Sequence, residues 1–279
     1  MNTILVTGAT GNVGRPLVAL LATAGAKVRA VTRQPANAAL PYGVDVVTSA
    51  IDGVLGADAV FLNSRALGDD LAPLVAHARR LGVTRLVALS AINVDDDFSR
   101  QPSRFRGDRN LETEQLAVDS GLEWVSLRPT VFLSNFFGMW AAQIRAGDVV
   151  SGPFANASTA PIVDRDISAV AAHAFLSDEL VGRRIPMTGP QAFTNAELVD
   201  AIGMVLGRRL RYQEIPPELV RQRFIGLGFT PEFADAYLAF LSATVGKPAL
   251  VTHEVEKILG RPATSFADDV SAHRDLFAN

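Results

Sequence analysis

The chain has 279 residues, of which 48% are apolar and 20% charged, and a formal net charge of -3. This composition is typical of a globular protein and argues against disorder. The charge provides no basic field for nucleic acid, and no apolar run is long enough to cross a bilayer. The absence of cysteine excludes disulfides, thiolate zinc sites and a cysteine nucleophile. We expect a small-molecule-binding protein in the cytoplasm, with no nucleic-acid or membrane partner.

A glycine-rich turn lies near the start of the chain. The stretch "VTGATGNVGRPLV" (6–18) follows the apolar run "NTILVT" and precedes a segment with helical apolar spacing. Glycines between a strand and a helix let the main chain approach a pyrophosphate, which binds at the helix N-terminus. An ordinary glycine turn is the alternative, but the strand before it and the helix after it favour a dinucleotide site. The predicted cofactor contacts here are Gly8, Thr10, Gly11, Asn12, Val13 and Gly14.

The helix after this turn requires an N-terminal cap. Both Thr10 and Asn12 carry side chains of the capping type, and Pro16 suits a first helical turn. We therefore predict that Thr10 or Asn12 caps the helix.

The second strand, "AKVRAVTRQP", ends on a basic residue. Residues 1–44 contain no acid and four basic residues, which are Arg15, Lys27, Arg29 and Arg33. A protein that prefers NAD places Asp or Glu at this strand end, to bind the ribose 2′-hydroxyl. Arg33 suits instead the 2′-phosphate of NADP, through charge-assisted hydrogen bonds. A solvated arginine is the alternative. The sequence thus predicts NADP as the cofactor, with NADPH preferred over NADH.

Strand and helix patterns then alternate. Buried strands are predicted at 58–64 and 84–91 with a helix between them, and the helix "NLETEQLAVDSG" leads into the strand "LEWVSLRPTVF". The run "IDGVLGA" leaves room only for a very short crossover helix. This alternation predicts an α/β fold in which residues 1–150 form a Rossmann domain with a doubly wound parallel sheet.

The pattern changes after residue 150. Residues 164–188 contain a helix and a late strand that we expect to return to the Rossmann domain. Residues 151–163 and 189–279 predict a smaller, mostly helical C-terminal lobe that supplies the substrate lid. Its helix starts are marked by Thr194 with Glu197, by Thr230 before Pro231, and by Ser265 with Asp268.

Several of these segments together resemble a known family. The stretches "TGATGNVG", "VRAVTR", "LETEQLAVDSGLEWVSLRPTVFLSNF", "APIVDRDISAVAAHAFL" and "TGPQAFTNAELVDAIGMVLGR" are similar to those of NmrA-like, atypical short-chain dehydrogenases/reductases. The resemblance covers nearly the whole chain. It implies similarity to NADPH-dependent quinone oxidoreductases and triphenylmethane dye reductases. The family also includes non-catalytic redox sensors that bind NADP, so the resemblance implies the fold more strongly than the reaction.

The chain differs from the superfamily that it resembles at two catalytic positions. Ordinary members of the superfamily carry a catalytic Tyr and a Lys four residues apart. Matching "RFRGDRNLETEQL" to that pattern places Arg106 at the tyrosine position and Asn110 at the lysine position. Neither residue donates a proton at neutral pH. The family pattern also places Ser90 near the substrate, so Asn110 and Ser90 are the candidate catalytic residues, and both are candidate cofactor contacts.

Further cofactor contacts follow from the resemblance at the ends of two strands. It implies that Asn63 and Ser64 border the adenosine and that Pro129 and Thr130 lie along the nicotinamide. Ser90, Asn63 and Ser64 could equally satisfy local backbone groups, and Pro129 could simply terminate its strand.

Aromatic residues after residue 130 suggest a pocket. Phe132, Phe136 and Trp140 recur at helical spacing, which suits a flat conjugated ligand but is also the pattern of a helix packed in a core. The predicted substrate pocket contains Phe132, Phe136 and Thr159. The four histidines are scattered without metal-ligand spacing, so no metal site is predicted.

These observations lead to one main functional hypothesis. The chain is expected to be an NADPH-dependent oxidoreductase, monomeric or homodimeric, that transfers hydride to a quinone-like or conjugated small-molecule acceptor without a Tyr-Lys dyad. Such an acceptor needs no protein acid, because the cofactor carries the chemistry. The alternatives are a non-catalytic NADP(H)-binding redox-sensing regulator and a tailoring reductase or isomerase of a biosynthetic pathway.

Overall fold

The computed structural model describes residues 2–278. Its strands are β1 (Thr3–Val6), β2 (Lys27–Val31), β3 (Asp45–Val47), β4 (Ala59–Leu62), β5 (Arg85–Leu89), β6 (Glu123–Pro129), β7 (Val149–Gly152), β8 (Ser158–Thr159), β9 (Arg183–Met187), β10 (Phe193–Thr194) and β11 (Arg211–Glu214). Its α-helices are α1 (Gly14–Thr23), α2 (Ala50–Gly53), α3 (Ser64–Leu67), α4 (Leu71–Arg80), α5 (Asn110–Val118), α6 (Leu133–Ala146), α7 (Asp164–Leu176), α8 (Asn195–Leu206), α9 (Pro217–Gly226), α10 (Pro231–Ser242), α11 (Glu254–Leu259) and α12 (Phe266–Ala272).

The main sheet has seven strands within residues 2–278, in the order β3-β2-β1-β4-β5-β6-β9. The pairs from β3 across to β6 are parallel. The chain runs outward from β1 to β3 and then continues on the other side of β1 with β4. This order is that of a doubly wound Rossmann sheet, whose switch point lies between β1 and β4. The predicted fold class is confirmed.

The described residues pack into two compact units. Unit 1 contains residues 2–94, 107–129 and 164–186, and unit 2 contains residues 95–106, 130–163 and 187–278. Unit 1 holds the main sheet. In this division residues 95–106 and 130–150, which were predicted to belong to the first domain, lie in unit 2. The exact boundaries between functional domains remain a prediction.

The core of unit 1 is built on the apolar strands of the sheet. All four residues of β4 are buried. On α1, Leu17 and Leu21 are fully buried, and this helix packs against α7. The Ser168 hydroxyl of α7 donates to the carbonyl oxygen of Val13 at 2.8 Å, so α7 also holds the residue that precedes α1.

The crossover between β3 and β4 contains only the single-turn helix α2, as the sequence predicts. Its cap is Ser49, whose side chain accepts a hydrogen bond from the backbone N–H of Asp52 at 3.2 Å. The guanidinium of Arg29 donates to the carbonyl oxygens of Gly53 and, at 2.8 Å, Leu55. These contacts fix the short crossover against β2.

Unit 2 is organised around α6, α8 and α12, which share an apolar core. Two small sheets accompany these helices, with β7 parallel to β11 and β8 antiparallel to β10. The predicted helix starts are confirmed: Thr194 and Glu197 form a capping box, and Thr230 and Ser265 cap α10 and α12. Over residues 2–278, no helix has the length and apolar character needed to cross a membrane.

A buried carboxylate joins three elements of unit 1. The side chain of Glu114 on α5 is 3% exposed and accepts hydrogen bonds from Ser126 at 2.5 Å, from Arg128 at 2.6 and 2.9 Å, and from Arg184 at 2.6 Å. Burial alone would raise the pKa of Glu114, but these hydrogen bonds outweigh it and lower the pKa to about 2. The ionised network ties α5 to β6 and β9.

We predict that Glu114→Gln lowers the free energy of unfolding by roughly 3 kcal/mol at neutral pH, because it leaves two arginines without their carboxylate. The folded-state pKa of about 2 lies below the reference value of 4.5. The stabilisation is therefore complete above pH 4.5 and is lost as the pH falls toward 2. Urea titrations of wild type and variant should show a difference that shrinks below pH 4.5.

The control is Asp148→Asn, which removes an exposed ion pair with Arg208 and should cost less than about 1 kcal/mol. A difference between wild type and Glu114→Gln that stays constant from neutral pH down to pH 3 would contradict the prediction.

Candidate functional site

The candidate site lies at one edge of the main sheet. Because the strands of unit 1 are parallel, the residues that follow them meet at the carboxyl edge, where doubly wound proteins bind ligands. The predicted cofactor contacts that the structure brings to this edge are Gly8 after β1, Arg33 after β2, Asn63 and Ser64 after β4, and Ser90 after β5.

The glycine turn is packed too closely for side chains. Gly8 has a φ of +67°, and a Cβ placed on it would lie 2.8 Å from Nδ2 of the Asn63 side chain. A Cβ on Gly14 would lie 2.1 Å from the carbonyl oxygen of Gly8. The first residue of α1 therefore rests directly on the turn, as the glycines of a dinucleotide-binding turn require.

The predicted side-chain cap of α1 is wrong. The capping position is occupied by Val13, and no side-chain hydrogen bond caps the helix. The backbone is already helical at Val13 (φ -88°, ψ -43°), and the N–H of Arg15, which a capping side chain at Asn12 could accept from, already donates to the carbonyl oxygen of Gly11 at 3.0 Å. The N–H groups of Val13 and Gly14 have no acceptor within residues 2–278. Together with the positive end of the helix dipole, they form a site for an anion.

Two of the basic residues near the turn are already used by the protein. Arg15 donates to the carbonyl oxygens of Ala38 at 2.7 Å and Ala39 at 2.9 Å, and Arg29 binds the α2 crossover described above. These guanidinium groups hold loops through Nη1, so each has fewer donors left for a ligand phosphate than Arg33.

Arg33 has no such contacts, unlike Arg15 and Arg29. It is exposed, and no hydrogen bond or ion pair to it exists in the described part of the chain. It follows β2 closely, and the last residue of that strand, Val31, accepts a hydrogen bond at 3.4 Å from the N–H of Ala9 in the glycine turn. The structure therefore leaves a free guanidinium next to the strand end that borders the turn.

The residues after β4 are partly engaged with the backbone. The Asn63 side-chain oxygen caps α3 by accepting from the N–H of Ala66 at 3.4 Å, while Ser64 is 2% exposed and accepts from the N–H of Arg109 at 2.9 Å. Thr7, whose role no sequence pattern predicts, accepts from the N–H of Asn63 at 2.9 Å. These contacts are the local backbone role considered as the alternative for Asn63 and Ser64.

The two candidate catalytic residues lie together in unit 1. Ser90 is 3% exposed, and its hydroxyl donates to the carbonyl oxygen of Asn110 at 3.4 Å. Asn110 is the first residue of α5. The last residue of β6, Pro129, accepts a hydrogen bond from the N–H of Ile92 at 2.9 Å, which anchors the loop after β5. Hence a serine hydroxyl and the start of α5 lie at the carboxyl end of β5.

Arg106, at the position of the superfamily tyrosine, belongs to unit 2. It is exposed, and its guanidinium carbon lies 5.3 Å from the centre of the Phe229 ring. A guanidinium stacked on an aromatic ring keeps its charge and does not release a proton.

The predicted pocket residues also belong to unit 2. Phe132 precedes α6 and pairs with Ile162 in an isolated parallel bridge, and Thr159 lies in β8 with 8% exposure. The N–H of Thr130 donates to the carbonyl oxygen of Met187 at 2.9 Å. Phe136 is 5% exposed and packs within the core of unit 2, which is the alternative considered for the aromatic residues.

Trp140 shares this core environment, with its ring centre 4.9 Å from that of Phe136. Within the described residues, no three histidine or carboxylate side chains are placed to hold a metal ion.

We predict that Gly14→Ala destabilises the protein by about 2 kcal/mol or more, because the new methyl group would overlap the carbonyl of Gly8. Gly11→Ala is the matched control, since a Cβ there meets only the Gly8 oxygen, at 3.3 Å. Calorimetry should show a melting temperature at least about 4 °C lower for Gly14→Ala and a much smaller change for Gly11→Ala. Equal melting temperatures for the two variants would contradict the proposed contact.

The sheet order, the turn at its switch point and the uncapped helix define the class of this protein. It is a Rossmann-like α/β protein of the dinucleotide-binding type. Residues 1–267 match the model of the NmrA-like family. The chain belongs to the NmrA-like family, which confirms the resemblance seen in the sequence.

Two curated relatives span nearly the whole chain. The chain is 36% identical to the (4-alkanoyl-5-oxo-2,5-dihydrofuran-3-yl)methyl phosphate reductase of Streptomyces griseus, over 99% of each chain. It is 32% identical to the NAD(P)H azoreductase of Xenophilus azovorans, over 98% of this chain and 99% of the relative. Both relatives are named as reductases, and this chain is accordingly an oxidoreductase.

Two solved structures share the fold. The NADPH-dependent quinone oxidoreductase of Escherichia coli, solved with NADPH, matches with a TM-score of 0.81 at 20% identity, over 97% of this chain and 99% of that chain. The triphenylmethane reductase of Citrobacter sp., solved with NADP(H), matches with a TM-score of 0.80 at 17% identity over the same shares. At these identities the likeness supports the fold.

Proposed function

We propose that the protein is an NADPH-dependent oxidoreductase that transfers hydride to a quinone-like or otherwise conjugated small-molecule acceptor. The observation that carries the proposal is the free guanidinium of Arg33, which follows the strand next to a glycine turn with unpaired N–H groups. The names of the two relatives support the acceptor class. An azo bond and the ring double bond of an acyl-substituted dihydrofuranone are both conjugated electrophiles.

The residues at the carboxyl edge fit a dinucleotide. Gly8 and Gly14 keep side chains out of the turn, and the N–H groups of Val13 and Gly14 are available to a pyrophosphate. Arg33 supplies a fork of donors for a 2′-phosphate. When bound, NADPH supplies the hydride. The task of the chain is then to bind and orient the two reactants.

We propose that Ser90 and Asn110 position the reactants and do not protonate the product. The Ser90 hydroxyl donates to the carbonyl oxygen of Asn110, and an asparagine amide both donates and accepts hydrogen bonds, as contact with a ribose hydroxyl or an acceptor oxygen requires. Neither group is acidic enough to protonate a product at neutral pH. A conjugated acceptor does not require a protein acid, since it takes hydride first and receives its proton from water afterwards.

We predict that Arg33→Ala weakens NADPH binding at least about tenfold and leaves NADH binding nearly unchanged, because only NADPH carries the 2′-phosphate. Lys27→Ala is the matched control: Lys27 is also an exposed cation on β2, but it lies at the opposite end of the strand. Titration calorimetry with both nucleotides measures the effect. Equal affinity of the wild type for NADPH and NADH would contradict the assignment.

Turnover is the test of the reaction itself. Wild-type protein at catalytic concentration should oxidise NADPH, followed by its near-ultraviolet absorbance, in the presence of naphthoquinones, azo dyes or conjugated lactones. In the same assay Arg33→Ala should raise the KM for NADPH about tenfold and change kcat little, because the arginine contacts a part of the cofactor that does not react.

The redox-sensor alternative predicts a different result. If no acceptor is reduced while NADPH and NADP⁺ bind with clearly different affinities, the protein acts as a sensor and the reductase proposal is wrong. A binding-only protein reports redox state only through such a difference in binding free energy.

A further inference from the structure

The segment of residues 33–43, between β2 and β3 in unit 1, carries Arg33 and lies almost entirely on the surface. Of its residues only Ala38 is buried, at 3% exposure. It contains no α-helix or strand, only the short 3-10 turn Pro35–Asn37. Burial of apolar side chains therefore does little to hold this part of the chain in place.

One side chain ties segment 33–43 to a distant part of unit 1. Nη1 of Arg15 donates to the carbonyl oxygen of Ala38 at 2.7 Å and to that of Ala39 at 2.9 Å. Apart from the residues that adjoin the segment in sequence, Arg15 is the only residue within 2–278 that forms hydrogen bonds with it. The position of this exposed segment thus depends on a single guanidinium group.

Short-range hydrogen bonds connect the anchored carbonyl groups to Arg33. The N–H of Ala38 donates to the carbonyl oxygen of Pro35 at 3.2 Å. The N–H of Gln34 donates to the hydroxyl of Thr32, which is buried at the end of β2, also at 3.2 Å. Arg33 therefore lies between a buried strand end and a turn whose far end is bound by Arg15.

Arg15 also belongs to the glycine turn side of the candidate site. It is the second residue of α1, and its own N–H donates to the carbonyl oxygen of Gly11 at 3.0 Å. One residue thus joins the start of α1, where a pyrophosphate is proposed to bind, to the segment that carries Arg33. All of these residues lie in unit 1.

We propose that Arg15 is a positioning residue for cofactor selection: it holds segment 33–43 against the start of α1, so that Arg33 is in place for the 2′-phosphate of NADPH. The inference rests on the proposed function and deepens it, because it names what sets cofactor preference besides the phosphate contact itself. A guanidinium on an ordered segment binds more tightly than one on a mobile segment, since less conformational freedom is lost on binding.

The binding test uses two nucleotides that differ only in the 2′-phosphate. Arg15→Ala should raise the Kd for NADPH about three- to tenfold and leave the Kd for NADH within about twofold of wild type, measured by titration calorimetry. Retained NADH binding also shows that the variant is folded. Arg15→Lys should keep most of the preference, because an ammonium group can donate to both carbonyl oxygens that Nη1 binds.

Arg29→Ala is the matched control. Arg29 carries the same charge and also donates to backbone carbonyl groups through Nη1, but it holds the α2 crossover. Its removal should leave the ratio of the two Kd values at that of wild type. A loss of preference in this control would mean that net charge, and not the position of segment 33–43, sets the preference, and would overturn the inference.

A double-mutant cycle separates positioning from direct contact. In an Arg33→Ala background, Arg15→Ala should change the Kd for NADPH less than about twofold, because the guanidinium that it positions is already gone. An equal loss in both backgrounds would mean that Arg15 contacts the phosphate itself, and the positioning role would be wrong.

Proteolysis tests the intermediate step. Tyr42 is fully exposed in segment 33–43, so chymotrypsin cleavage after it reports how often the segment opens. Arg15→Ala should speed this cleavage at least about threefold, and Arg29→Ala should not. Equal cleavage rates in wild type and Arg15→Ala would contradict the claim that Arg15 holds the segment.

Failure of this inference differs from failure of the proposed function. If the wild type prefers NADPH and Arg15→Ala keeps the full preference, the positioning role is wrong and the proposed function is intact. If Arg15→Ala loses the preference but the wild type reduces no acceptor, the positioning role stands and the reductase proposal fails. A wild type without preference for NADPH would overturn both the role of Arg15 and that of Arg33.

Discussion

The contact between the first residue of α1 and the turn after β1 is the constraint on which the candidate site depends. Because a side chain at Gly14 would overlap the carbonyl group of Gly8, the helix begins directly above the strand it follows. This closeness directs its unpaired N–H groups toward the carboxyl edge of the sheet, where the other strands also end. Ser168 of α7 binds the carbonyl oxygen of Val13 and so holds the same helix start from another part of the chain.

Most of the fold could be predicted from the sequence, because the signals are local. Apolar runs and their alternation with amphipathic helices indicate a parallel sheet, and the side chains at Thr194, Thr230 and Ser265 mark helix starts where the hydrogen bond spans only three residues. The cap of α1 could not be predicted in the same way. There the helical backbone begins at Val13, and a close contact with the turn takes the place of a capping side chain.

The candidate cofactor residues could be named from the sequence, but their hydrogen-bond partners could not. The sequence distinguishes Arg33 by its position at the end of the second strand, but only the three-dimensional structure shows that Arg15 and Arg29 bind backbone carbonyl groups. The bond from Ser168 to Val13 spans 155 residues, so no pattern signals it.

The order of segments in unit 1 has a consequence for how the chain folds. The unit is assembled from three stretches, and the last, residues 164–186, brings both the helix that covers α1 and the arginine that completes the Glu114 network. A nascent chain that ends at residue 129 lacks that helix and that arginine, so it exposes the apolar face of α1 and leaves Glu114 with fewer partners. Such a fragment is an incomplete domain, and the sheet reaches its full stability only after residues 130–163 of unit 2 and then residues 164–186 have been synthesised.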